Sequence, residues 1–133
     1  MKPRMKRLIA SSLLATACGL SAAAPTPAPI RAEIDALMAR LQTSGCEFNR
    51  NGSWHDGSEA KTHLLRKLNY LEGEKTLQST EQFIELAASV SSMSGKPYQV
   101  QCGGTASVPS QQWLMHELQA VRSQQSLTKP ANL

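Results

Sequence analysis

Along the chain, apolar residues recur at spacings of three and four in four separate stretches, and alternate with polar ones around two cysteines. That pattern predicts an α+β fold, mostly α, with about four helices and a short antiparallel strand pair. In the first stretch Ile30, Ile34, Leu37, Met38 and Leu41 share a helical face, with Arg31, Glu33, Asp35 and Arg40 opposite. Ser44-Gly45 closes this helix, Gly45 serving as its left-handed cap. Ahead of it, residues 24–29 (APTPAP) alternate proline with small residues, which predicts an extended, flexible lead-in.

Cys46 and Phe48 alternate with polar positions up to Asn51-Gly52, a two-residue hairpin signal because both residues adopt positive φ readily. A second extended piece carrying Trp54 follows. Asp56 with Glu59 forms a capping-box pattern for a second helix. Its stripe is Ala60, Leu64, Leu68 and Leu71, broadened by Leu65, with Lys61, Arg66 and Lys67 outside and Gly73 as its break. Gly73 to Gln78 is a connection, polar apart from Leu77.

Ser79 and Gln82 cap a third helix that buries Phe83, Ile84, Ala87 and Ala88 and is expected to run on to Gly95. Pro97 prevents its continuation, and Tyr98, Val100 and Cys102 alternate as a strand. A loop from Gly103 to Pro109 leads to a last helix, capped by Ser110, that faces Trp113, Leu114, Leu118 and Val121 inward. Residues 123–133 are polar and expected to fray.

Cys46 begins one predicted strand and Cys102 ends the other, so antiparallel pairing sets the two side by side for a disulfide. In that register Phe48 faces Val100 and Arg50 faces Tyr98, which predicts a cation–π contact between the last two.

The first residues change how the charge is read. Lys2, Arg4, Lys6 and Arg7 precede a mostly apolar run from Leu8 to Leu20, and Ser21-Ala22-Ala23 fits a small-x-small cleavage site. A run of 13 residues is too short to span a bilayer, which takes roughly 20. We therefore expect residues 1–23 to be a signal peptide cut after Ala23. An alternative is acylation at Cys18, which follows small residues but lacks the usual leucine three positions before it. Of the 14 basic and 10 acidic residues, four basic ones lie in this segment, so the remainder carries ten of each. A neutral domain offers no electrostatic case for nucleic acid or anionic membrane as partner. No other apolar run is long enough for a transmembrane segment. In an oxidising compartment, the two cysteines that remain make one disulfide.

Ser44-Gly45-Cys46, Phe48-x-Arg50-Asn51-Gly52, His63-Leu64 with Lys67, and Phe83-Ile84 through Ala88-Ser89 form part of a family pattern. Ser91-Ser92-x-Ser94-Gly95-x-Pro97-Tyr98, Cys102 and Trp113-Leu114 complete it. As a set they resemble the YfeK-like family of uncharacterised bacterial proteins, from about Ile30 to Arg122. Trp54 departs from it, standing where a smaller aromatic such as tyrosine is expected. The resemblance implies an exported, periplasmic single domain over residues 30–122 and supplies no reaction.

His63 and Lys67 are four apart and share a face of the second helix. Turned toward Arg50, they would form a site for a carboxylate or phosphate. Ser89, Ser91, Ser92 and Ser94 beside Lys96 suggest a Ser/Lys nucleophile, but no nucleophile elbow accompanies them. Cys46, Cys102, His55 and His63 are suitable metal ligand types without paired spacing, and neither cysteine belongs to a C-x-x-C redox motif. Tyr98, Trp54 and Trp113 suit a core better than a peptide or glycan groove. No cofactor is expected. The sequence thus favours a non-enzymatic binding module of the cell envelope, for an envelope protein or a small anionic ligand. Its expected surface is Arg50, Asn51, His63, Lys67, Ser92, Ser94 and Tyr98. The competing class is a small hydrolase using Ser92 or His63.

Overall fold

Helix α1, Ala28–Thr43, begins two residues before Ile30 because Pro29 sits in its first turn, where the amide proline lacks has no partner inside the helix. It buries Ile34, Leu37, Met38 and Leu41 and ends before Gly45, whose φ is 71°. The expected flexible lead-in is tied down instead: Thr26 is buried, and the Ala24 carbonyl accepts a 2.9 Å hydrogen bond from Thr76.

This computed structural model describes residues 23–128 and Gly19. Cys18, the rest of the expected signal segment and residues 129–133 lie outside the described residues. Among those described, no helix is long and apolar enough to cross a membrane.

Strand β1 (Glu47–Arg50) turns at Asn51-Gly52, with φ of 52° and 84°, into β2 (Ser53–His55). Helix α2 (Gly57–Glu74) starts where the Asp56 carboxylate accepts the Glu59 amide at 2.8 Å. It runs through Gly73, the expected break, for one more residue. Leu77, in the connection, is fully buried and anchors it to the core.

Helix α3 (Thr80–Ala88) is capped by Ser79, which accepts the Gln82 amide, while the Gln82 side chain accepts from the Gln78 amide. It stops well short of Gly95. Val90 forms a β-bridge with Pro97, and Ser91 to Lys96 close a tight turn with Gly95 at φ 70°. That turn takes the backbone hydrogen bonds a longer helix would have used.

Strand β3 (Gln99–Gln101) pairs antiparallel with β1, with Phe48 opposite Val100 as the alternation predicts. The expected strand pair is the middle of a larger sheet of order β2-β1-β3-β4. Its far strand, β4 (Val108–Pro109), was expected as loop; a proline is tolerated there because an edge strand can lose one donor. Helix α4 (Ser110–Thr128) continues five residues past Ser123, where fraying was expected, and the Ser123, Ser126 and Thr128 side chains there donate to carbonyls a turn earlier.

One face of every helix meets in a single core, joined from the sheet by Cys46, Phe48 and Val100. The Cys46–Cys102 disulfide closes the β1–β3 pair across 56 residues, with Cα atoms 4.3 Å apart. In the chain-entropy model a closure of that length stabilises the fold by roughly 4 kcal/mol. Outside the core, Arg122 of α4 binds Glu33 of α1 at 2.8 Å and Glu81 of α3 at 2.5 Å, and Arg40 binds Glu117 at 2.7 Å. These half-exposed pairs add little stability each, but they fix which helices neighbour one another.

Helix α2 starts against the end of α1. A Cβ on Gly57 would lie 2.4 Å from the Leu41 carbonyl oxygen and 2.9 Å from that of Gln42. Gly57→Ala is therefore expected to lower stability by about 2–3 kcal/mol in urea unfolding, through forced separation of the helices. At Gly73 a Cβ meets nothing within 4 Å. Gly73→Ala should stabilise by about 0.5–1 kcal/mol, and a loss at both positions would contradict the close approach argued for Gly57.

Candidate functional site

Period-two alternation along the sheet carries Phe48, Arg50, Val100 and Tyr98 to one face, and α2 lies against it. Between them opens a cavity of about 320 Å³. Phe48, Ala60 and Leu64 give it an apolar lining, Arg50, His63, Arg66 and Tyr98 a polar wall, and His55 and Glu59 line it as well.

A chain of polar contacts runs along this wall. Arg50 bonds His63 Nδ1, His63 Nε2 lies 3.2 Å from the Tyr98 hydroxyl, and Lys67 Nζ lies 3.3 Å from the same oxygen. Arginine only donates, so Nδ1 must accept, and the imidazole proton resides on Nε2. Tyr98 Oη therefore accepts from both His63 and Lys67. Burial, followed by the nearby charges of Arg50 and Lys67, lowers the His63 pKa to about 4. Burial and Arg50 lower that of Lys67, and burial raises that of Tyr98. Desolvation penalises each charged form, so at neutral pH the imidazole and phenol are uncharged between two cations.

Arg50 faces Tyr98 in register, but the cation over the Tyr98 ring is Lys67, 5.1 Å from its centroid. Arg50 is drawn to His63 instead. Lys67, expected outside, is half-buried and also donates to the Val90 carbonyl at 3.3 Å. Among the described residues, no carboxylate pairs with Arg50, Lys67 or Arg66.

The remaining expected surface residues do not line the cavity. Asn51 Nδ2 donates to Ser91 Oγ at 3.1 Å, and Ser94 Oγ donates to Asn51 Oδ1 at 2.6 Å. Ser91, a member of the serine cluster but not of the expected binding surface, is the buried centre of this lock and also accepts from the amides of Met93 and Ser94. Ser92 is exposed and makes no side-chain hydrogen bond among the described residues. The structure thus brings Arg50, His63, Lys67 and Tyr98 into one cluster, uses Asn51 and Ser94 to hold the two turns together, and leaves Ser92 apart.

Sequence reasoning missed Arg66, Glu59, Thr62 and Asn49 as cavity residues. The signal was present in part: Glu59, Thr62, His63 and Arg66 follow helical spacing on α2, but only the approach of β1 gives that face a partner. Both cysteine sulfurs are consumed by the disulfide, and among the described residues no group of three potential ligands could hold a metal ion. Trp113 packs edge-on against Phe48, with centroids 5.4 Å apart, whereas Trp54 is 42% exposed.

The depressed His63 pKa couples stability to pH. An unfolded histidine takes its proton near 6.5, the folded one only near 4. Between these values acid therefore favours the unfolded chain. Glu33 and Glu81, held low chiefly by bonds from Arg122, begin to contribute only below their ordinary value of 4.5. We expect the thermal midpoint to fall as pH drops from 6.5, and His63→Gln to flatten the part above 4.5. Equal slopes in the two proteins, followed by circular dichroism, would place the coupling elsewhere.

Against this geometry, comparisons with known proteins place the chain without assigning a reaction. No solved structure matches it significantly. It is similar to "Uncharacterized protein YfeK" of Salmonella typhimurium, with 37% identity over 95 residues that cover 71% of this chain and 77% of the relative. A family model described as a family of unknown function, DUF5329, matches residues 28–122, which span α1 through the core-facing part of α4. The chain belongs to this YfeK-like family of unknown function.

Proposed function

We propose that this protein is an exported, non-enzymatic binding module of the bacterial cell envelope that captures a small anionic ligand through a carboxylate or phosphate. One observation carries the reading: Arg50 and Arg66 line a cavity of about 320 Å³, Lys67 reaches the Tyr98 hydroxyl in its wall, and no carboxylate of the described residues forms an ion pair with any of the three. Arg50 uses one donor on His63 and keeps the rest of its fork for a ligand. The neutral imidazole adds no third charge to be desolvated. A cavity near the lower end of the small-molecule range of roughly 300–1,000 Å³ suits a small ligand better than a protein segment.

The hydrolase reading has less support. A general base needs a free lone pair, and that of His63 is occupied by Arg50. Ser92 has no side-chain partner to activate it among the described residues.

Export rests on the basic and apolar pattern of residues 1–23 and on the disulfide, a bond that persists in oxidising compartments. Mass spectrometry of the protein recovered from the envelope is expected to find Ala24 as its first residue. A diacylglyceryl group on Cys18 would replace the soluble form with a lipid-anchored one.

Anion capture is tested by titrating the disulfide-intact protein with inorganic phosphate and with acetate while recording amide resonances. Saturable shifts should concentrate at Asn49–Arg50 and Thr62–Arg66. Arg50→Gln and Arg66→Gln should each weaken binding by about tenfold or more, as expected for loss of a charge-assisted hydrogen bond. Arg66 is exposed and makes no ion pair among the described residues, so its replacement leaves the fold intact. Unchanged titrations in both variants would sink the proposal.

A further inference from the structure

The cavity is lined by charges of both signs, and one helix carries a residue of each. Glu59 and Arg66 line it from α2 and are seven positions apart. Seven residues make nearly two full turns, so the two side chains share a face with Cα atoms roughly 10 Å apart along the axis. Arg50, brought in by β1 and bonded to His63, adds to the positive charge. Glu59 Oε2 is held 2.7 Å from His55 Nδ1, which orients the carboxylate and leaves its second oxygen to accept. Apolar Phe48, Ala60 and Leu64 and polar Asn49, Ser58 and Thr62 line the same cavity.

From this arrangement we infer that the ligand is a zwitterion with an ammonium group at Glu59 and a carboxylate at Arg50 and Arg66, and that it belongs to the class of short peptides with free ends. This rests on the anion-binding reading above and narrows it. A ligand bearing only an anion would leave Glu59 as a like charge in its cavity, costing affinity. A zwitterion satisfies both charges. Two helical turns are on the order of the reach of a tripeptide, since an extended residue covers roughly 3.3–3.6 Å and three residues about 10 Å. The small side chains of such a peptide meet the apolar lining, and its amides the hydroxyl and amide groups.

The test is isothermal titration of the disulfide-intact protein with trialanine, N-acetyl-trialanine, trialanine amide and inorganic phosphate, with Glu59→Gln and Arg66→Gln in parallel. Trialanine should bind at least about tenfold more tightly than either blocked peptide, the difference expected from losing one charged contact. Glu59→Gln should erase the advantage over the acetylated peptide, and Arg66→Gln the advantage over the amide. The Asp56 cap of α2 accepts the Glu59 backbone amide, so Glu59→Gln preserves the helix start. If N-acetyl-trialanine binds as tightly as trialanine while the amide does not, the zwitterion inference is overturned and anion capture stands. If neither trialanine nor phosphate binds, anion capture falls and the inference with it.

Discussion

The pairing of β1 with β3 is the constraint on which the rest of the structure depends. Its register sets Phe48 against Val100 and, by the same alternation, brings Cys46 to Cys102 at one end and Arg50 to Tyr98 at the other. A slip of one residue would turn Phe48 and Val100 out of the core and leave the cysteines on opposite faces. The disulfide makes that slip impossible once formed. It joins the segment after α1 to the segment before α4, so the elements on either side of residues 46–102 are held near one another before any helix packing is counted.

On that sheet the polar wall is a compromise between burial and charge. Arg50 and Lys67 are held close enough for Arg50 to lower the Lys67 pKa, an arrangement unfavourable in itself. It persists because a neutral imidazole and a phenol stand between the cations and accept hydrogen bonds from both sides. The Asn51–Ser91–Ser94 lock gives the wall its rigidity, tying the hairpin tip to the turn after α3 across a sequence gap of 40 residues and more. Sites whose charged groups are oriented by such supports lose less entropy when a ligand binds.

Much of this was legible beforehand, element by element. The spacing of Ile34, Leu37, Met38 and Leu41, the capping of α2 by Asp56 and of α3 by Ser79, and the positive φ of Asn51-Gly52 all follow from local chemistry. The errors cluster where a distant segment competes for backbone hydrogen bonds. Residues after Ala88 keep helical composition, yet the Val90–Pro97 bridge and the Tyr98 amide bond to the Ser89 carbonyl take them out of the helix. Val108–Pro109 has no strand signal of its own and becomes an edge only because β3 offers one. Lys67 looked solvated because a helical wheel shows its face and not what arrives beside it.

The sequence by itself determined the helix faces, the caps and the hairpin turn, since each depends on periodicity or on residues a few positions apart, and the cysteine pairing, since only two cysteines remain outside the expected signal segment. It also placed Arg50, His63 and Lys67 as candidates for one cluster. Only the tertiary structure decided which cation stacks on Tyr98, which tautomer His63 holds, and that Arg66 and Glu59 share a cavity with them. Those outcomes depend on burial and on distances between groups far apart in the chain, and neither quantity exists until β1 meets β3 and α2 closes over them.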